Sequence, residues 1–332
     1  MKKLKVVLIG GGTGLSVLAR GLKEYQIDIT AIVTVADDGG STGKIRDVMD
    51  IPAPGDIRNV LAALSDTEPM LEQLFQYRFE EEKIGGHSIG NLLLAAMTNI
   101  TNDFGHAVKE LSKILNIKGQ VIPSTTKSVV LNAVMSDGEI IVGESNIPKT
   151  SKKIEKVFLT PEDIEPMKEA IDAIEEADLI VMGPGSLYTS IMPNLILNKV
   201  KDAIINTEAE RLYVCNLMTQ KGETTGYSVS DHVKAIHDHV GEEFIDFVIC
   251  QNKRFNEEIL LRYEQEDAKQ VEFDGDKLTE MGVQCIHDNN LVSITPHQYI
   301  RHNNKVLAQL IYEIALREIS TIQYKKINKL TI

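Results

Sequence analysis

The sequence predicts a doubly wound α/β fold, a mainly parallel sheet wrapped by helices and carrying a helical insertion. Three observations predict it. Short, largely apolar runs occur at Val6 to Ile9, Ile29 to Val35, Asp178 to Met182 and Leu212 to Asn216. Runs of this kind, bounded by turn residues, read as strands buried on both faces. Three of them run straight into glycine or polar turns, GGGTG, GPGS and NLMTQKGET. Helical periodicity separates the runs, and strands that alternate with helices build a parallel sheet through crossover connections.

With 332 residues, 43% of them hydrophobic, the chain is long enough for a large core. A single α/β domain over 1–332, with a helical insertion at about 56–116, is expected. The net charge of −13 argues against nucleic acid as a partner and against anionic membranes. It leaves room for a small anionic ligand, which needs only a local nest of N–H groups. Trp is absent and aromatics make up 5%, which disfavours a surface that stacks sugars or single strands. Cys215, Cys250 and Cys285 are widely spaced with no C-x-x-C, the pattern of buried thiols in a reducing compartment. The first apolar run is too short for a secretory signal, and no run approaches a membrane span. A cytoplasmic protein with no membrane insertion is expected.

The first strand ends in Gly10, Gly11, Gly12, Thr13 and Gly14, and a helical pattern follows through Leu15, Val17, Leu18 and Leu22. Glycines let the backbone approach a ligand, and the free N–H groups of the helix start favour an anion. This β-loop-α unit is suited to a phosphate. It is not the standard dinucleotide fingerprint, because Leu15 stands where the third glycine belongs. The second strand ends in Asp37 and Asp38, with Asp37 placed like a ribose-binding acid, which favours a nucleotide. Gly39 to Lys44 fails as a Walker A loop, since Ile45 follows the lysine.

From Asp37 to Asp56 the glycines and prolines predict no regular element. Asp56 is placed to cap a helix through Ile57, Val60, Leu61 and Leu64. Helices are expected at Pro69 to Phe79, Ile89 to Thr98 and Gly105 to Leu115. His87 and Asn91 lie in the glycine-rich turn GGHSIGN. Asp137-Gly138 predicts a hairpin between Val129 to Ser136 and Glu139 to Gly143, and Ile154 to Leu159 a further strand. A helix presenting Ile164, Met167, Ile171 and Ile174 precedes the strand that ends in Gly183, Pro184, Gly185 and Ser186, where Ser186 is placed to cap the next helix. The third strand leads to Asn216 and Thr219. A helix from Ser230 to Val240 carries His232, His237 and His239, assigned to a solvated face. A strand follows at Phe244 to Cys250, and Arg301 precedes a last helix at Lys305 to Ile319, suited to bidentate phosphate contact.

Taken together, GGGTGLSVLARGLK, VTVADDGGSTGKIR, PGDIRNVLAALS, HSIGNLLLAAM, GPGSLYTSIMPNL and NLMTQKGETTGYSVSDHV resemble the YvcK-type gluconeogenesis factors, within the wider CofD-like group of 2-phospho-L-lactate transferases. The resemblance runs from Lys5 to about Ile319. It implies a Rossmann-like three-layer sandwich that binds a nucleotide in its crevice. In CofD-type transferases a guanosine nucleotide, with magnesium, delivers phospholactate to a deazaflavin. There the counterparts of Asp37, Asp38 and Asn91 lie where acceptor and phosphate meet. The YvcK branch implies a UDP-sugar such as UDP-N-acetylglucosamine, growth on gluconeogenic carbon sources and a role in cell shape.

The expected function is a nucleotide-binding regulator. Its nucleotide site comprises Gly10, Gly11, Gly12, Thr13, Gly14, Asp37, Asp38, Gly183, Pro184, Gly185, Ser186, Asn216, Thr219 and Arg301, with Asp56, His87 and Asn91 on the acceptor or sugar side. The glycine turns would hold the diphosphate and Asn216 and Thr219 the base. The alternative is a magnesium-dependent phospho-group transferase using the same crevice, with GDP as its nucleotide. NAD is a third, weaker ligand. A homo-oligomer and a protein partner in cell-wall regulation stay open.

Overall fold

The computed structural model describes residues 3–67, 69–80, 85–295 and 299–329, the side chains of 318–329 excepted. Strands β1 (Leu4–Gly10), β2 (Ile27–Val33) and β3 (Gln120–Pro123) form one half of the central sheet. β7 (Leu179–Met182), β8 (Glu210–Val214), β9 (Phe247–Ile249) and β10 (Gln284–Ile286) form the other. The order is β10-β9-β8-β7-β1-β2-β3 and every pairing is parallel. Two small antiparallel sheets stand apart. One joins β4 (Val130–Met135), β5 (Ile140–Val142) and β6 (Ile154–Thr160) through the predicted Asp137-Gly138 hairpin. The other pairs β11 (Val292–Ile294) with β12 (Ile300–His302).

Helices cover the sheet in two groups. The first is α1 (Gly12–Leu22), α3 (Gly55–Leu64) and the final α13 (Asn304–Lys329); α1 packs on both of the others. The second is α7 (Lys168–Glu175), α8 (Met192–Leu195), α9 (Asn198–Asn206) and α10 (Val229–Val240). Burial of β1 and β7 along nearly their whole length follows from this double cover. The fold is a Rossmann-like three-layer α/β sandwich. Between β2 and β3 the chain adds α2 (Gly40–Met49), α4 (Pro69–Gln76), α5 (Ile89–Thr101) and α6 (Phe104–Ile114) around α3. Beyond the sheet's centre, α11 (Glu257–Glu264) and α12 (Gly275–Glu280) precede β10. Among the described residues no helix is long and apolar enough to cross a membrane.

Three local expectations are corrected. Helix α2 occupies part of the stretch read as irregular. Close packing accounts for its Gly43, where a side chain would meet the Asp38 backbone, and Gly55 of α3 makes room for Thr42, whose Oγ1 would lie 2.6 Å from a side chain there. Tertiary contact thus overrides weak helix propensity. Helix α3 starts at Gly55, after Pro54, so Asp56 sits inside its first turn and does not cap it. Helix α7 begins only at Lys168, leaving Ile164 and Met167 outside it; Pro166 restricts the residue before it and holds the chain out of the helix.

Candidate functional site

In the central sheet the chain runs outward from β1 through β2 to β3, then returns to β1's other side as β7 and runs outward again. The β1/β7 boundary is therefore a topological switch point, where the two following loops diverge and leave a crevice beyond the strand ends. Those loops are GGGTG and GPGS. They meet closely: a side chain on Gly14 would lie 2.8 Å from the Pro184 carbonyl carbon. Asn194, fully buried, donates from Nδ2 to the Gly10 carbonyl at 3.2 Å and holds the loop from beneath.

A cavity of about 630 Å³ opens here. It is lined by Gly11, Gly12, Thr13 and Gly14, by Pro184, Gly185 and Ser186, by Asn216 and Thr219, and by Arg301. The three strand-end turns singled out in the sequence thus share one crevice, and Arg301 joins them from β12. Gly10 and Gly183 lie just behind it, at the ends of their strands, with Gly183 N–H donating to the Ile9 carbonyl. Sequence reasoning missed Ser190, Gln220, Tyr263 and His302, which also line the cavity. Gln220 lies within the third turn and His302 beside Arg301, so position in the sequence could have found them, whereas Ser190 and Tyr263 reach the crevice with no local signal.

The polar groups are already organised. Asn216 donates to Gln220 Oε1 at 3.1 Å, and Gln220 Nε2 donates to Ser186 Oγ at 2.8 Å, tying the second and third turns together. Ser186 therefore does not cap the following helix, contrary to expectation. Glu223 takes that place: its carboxylate accepts from Tyr188 N–H and from Thr189 Oγ1, both at 3.1 Å, at the start of the π-helical turn Leu187–Ile191. Thr219 is pinned to Lys269 through both its N–H and its hydroxyl, at 2.7 and 2.9 Å. Arg301 is exposed; Nη1 donates to the Ile300 carbonyl at 2.8 Å and the guanidinium lies over the Tyr299 ring. Among the described residues no carboxylate forms an ion pair with it.

Asp37, Asp38, Asp56, His87 and Asn91 are not among the residues lining this cavity. They form a neighbouring polar region on the β2 side. Asp37 accepts from Gly39 N–H and Asp38 from Ser145 N–H, at 2.9 and 2.8 Å. Arg46, buried, fixes this turn by donating to the Asp37 and Val129 carbonyls. Asp56 lies under the glycine loop, where it accepts from Gly12 N–H. His87 Nδ1 and Asn91 Nδ2 converge on Ser41 Oγ at 2.9 and 3.3 Å, and Asn91 Oδ1 accepts from the buried Arg58.

These acids crowd one another. Burial, then the charge of Asp37, pushes Asp56 up to about 7. Burial, then the charges of Asp37, Asp38, Glu223 and Asp56, pushes Glu144 up to about 8. Burial pushes Glu223 up to about 7 against the stabilising bonds from Thr189 and Tyr188. A carboxyl whose folded pKa exceeds its unfolded value binds more protons when folded, so its contribution to stability is present at low pH and is lost as pH rises through the folded value. Stability should therefore decline between about pH 4.5 and pH 8 through these groups. Glu144→Gln should flatten that decline and raise stability at pH 8 by on the order of 1 kcal/mol once solvent screening is allowed for. Urea midpoints of parent and variant at pH 5 and pH 8 check this; parallel pH dependences would remove Glu144 from the account.

The histidines of α10 are buried or half-buried, not solvated as the amphipathic pattern suggested. His232 Nδ1 donates to the Ser228 carbonyl at 2.7 Å, and His237 Nε2 accepts from the N–H groups of Phe244 and Ile245. Val157 N–H donates to His239 Nε2 at 3.2 Å. Each ring thus has at least one nitrogen bonded to the backbone, whereas His232 Nε2 and His237 Nδ1 are buried with no hydrogen-bond partner among the described residues; burial lowers all three pKa values.

Fold and site together define a doubly wound α/β protein with a glycine-lined crevice at its sheet switch point. The chain belongs to the CofD family: the profile of 2-phospho-L-lactate transferase CofD matches residues 6–291. Among curated relatives, the gluconeogenesis factor of Bacillus subtilis (strain 168) is 53% identical over 314 residues, covering 94% of this chain and 98% of its own length. The gluconeogenesis factor of Halalkalibacterium halodurans is 50% identical over 324 residues, covering 97% and 100%. A solved UPF0052-family protein from Bacillus halodurans superposes with a TM-score of 0.90 at 51% identity, covering 94% of this chain and 99% of that one.

Proposed function

We propose that the protein is a gluconeogenesis factor that acts as a nucleotide-binding regulator and holds a UDP-sugar such as UDP-N-acetylglucosamine. One observation carries this reading: three strand-end turns and the exposed guanidinium of Arg301 line one cavity of about 630 Å³. That volume lies within the range of small-molecule sites. The N–H groups at the start of α1 would take the diphosphate, with Arg301 contributing a planar, permanently charged fork. Asn216 and Thr219, held by Gln220 and Lys269, would present preset edges to the base. Support of growth on gluconeogenic carbon sources and of cell shape, through a protein partner in cell-wall regulation, completes the reading.

A thermal-shift panel of UDP-N-acetylglucosamine, GDP and NAD, each with and without magnesium, tests it. At a hundred times its dissociation constant, the true ligand should add about 2.7 kcal/mol of stability. The UDP-sugar should give the largest shift, without magnesium, and be recovered unchanged. A preference for GDP or NAD would overturn the ligand assignment.

A second reading, magnesium-dependent transfer of a phospho group, rests on the acid cluster of Asp37, Asp38, Asp56 and Glu144 beside the glycine loop. Mutual repulsion among these carboxylates is what a divalent cation would relieve. Among the described residues, however, no three His, Cys, Asp or Glu side chains are arranged to hold a metal ion. Magnesium needs only one or two protein carboxylates beside water and phosphate, so Asp37 and Asp38 would be the residues to hold it. A stabilising shift from GDP that requires magnesium in the same panel would favour this reading.

A further inference from the structure

Strands β9 and β10 are parallel neighbours, and β10 is the sheet edge. Cys250 directly follows β9 and Cys285 lies in β10; Cys250 N–H donates to the Ile286 carbonyl at 3.1 Å, which aligns the two strand ends. The two Sγ atoms stand 2.8 Å apart as free thiols. A disulfide bond is about 2.05 Å long, so joining them requires less than about 1 Å of movement. We propose that Cys250 and Cys285 form a redox-active dithiol site that reacts with small-molecule disulfides and closes to an intramolecular bridge.

The two sulfurs have different roles. Cys250 is buried, whereas Cys285 is half-buried beside the exposed His287. An incoming disulfide therefore reaches Cys285. The S–H of Cys250 and the His287 side chain hold the Cys285 thiol down at about 7, while the same contact and burial push Cys250 well up. Cys285 is the thiolate that attacks, and Cys250 the thiol that resolves. In the first step the Cys285 thiolate attacks one sulfur of the small disulfide, forms a mixed disulfide and expels one small thiolate. In the second, Cys250 gives its proton to that thiolate, attacks Cys285 Sγ and expels the second small thiolate. Two cysteine thiols are oxidised, and one small disulfide is reduced to two thiols. Cys215, fully buried and with its thiol pushed up by that burial, takes no part. The inference does not depend on the ligand in the crevice.

The full chain, incubated with glutathione disulfide at pH 7.5, then denatured and alkylated, is read by intact mass. One alkyl group should be added instead of three, with a loss of about 2 Da for the bridge. Cys250→Ser should trap one glutathione on Cys285, and Cys285→Ser should leave Cys250 unmodified. The parent's reaction should slow as pH falls below about 7, where the Cys285 thiolate is lost. Three alkylated cysteines in the treated parent would overturn the proposal, as would a bridge or adduct at Cys215. The parent arm decides the matter even if a serine variant fails to fold.

Discussion

Gly14→Ala is expected to lower affinity for the nucleotide at least tenfold and to cost about 1–3 kcal/mol of stability, the usual price of overpacking. Its added methyl group would sit 2.8 Å from the Pro184 carbonyl carbon and nearer still to the oxygen. The obstacle is backbone, which no rotamer change can move aside. The GGGTG and GPGS loops must separate, and with them the two walls of the crevice. Gly10→Ala is the matched control. A methyl group there would lie 3.6 Å from Leu15 and 3.9 Å from Gly183 Cα, both ordinary contacts. Isothermal titration with UDP-N-acetylglucosamine and urea unfolding separate the two effects. A folded Gly14→Ala protein with the parent's affinity would mean that the loops do not touch the ligand. Gly12→Val is a poorer probe, because Gly12 has φ of +65° and a β-branched residue is strained there whatever binds.

Arg301→Ala should weaken the UDP-sugar by about 1.5–3 kcal/mol, the range for a hydrogen bond to a charged group. Arg301→Lys should fall between, since it keeps the charge and loses the bidentate fork. Stability should stay within about 0.5 kcal/mol of the parent in both, because the side chain is exposed. Equal affinities in all three proteins would place Arg301 outside the site. A joint loss of affinity and stability would show instead that its stacking on Tyr299 holds the β11–β12 hairpin.

Much of the sheet was legible because its cause is local. A central parallel strand must be apolar on both faces, as β7 is throughout, β1 is apart from Lys5, and β8 is from Leu212 onward. The turns at their ends are equally local, because glycine and proline announce changes of direction. Asp137-Gly138 gave away the β4–β5 hairpin for the same reason. Once the strands are parallel, their carboxyl ends share one edge, so the meeting of GGGTG, GPGS and the Asn216 turn follows from order alone. Helix α2 was not legible, because a glycine such as Gly43 looks like a breaker until the Asp38 backbone is seen packed against it.

By itself, then, the sequence determined most of the strands, though not β3, β10 or β11, together with the glycine turns, the acidic composition and family membership. These depend on composition and on periods of a few residues. Only the tertiary structure decided which side chain meets which. It turned Asp56 from a helix cap into the acceptor of Gly12 N–H, and it replaced Ser186 by Glu223 at the helix start, 37 positions away. It buried the histidines of α10 and brought Cys250 and Cys285 within 2.8 Å of each other. The physical reason is common to all of these. Such contacts join residues distant in sequence, and the free energy that selects them is burial and hydrogen-bond satisfaction across the whole fold, which no local window records.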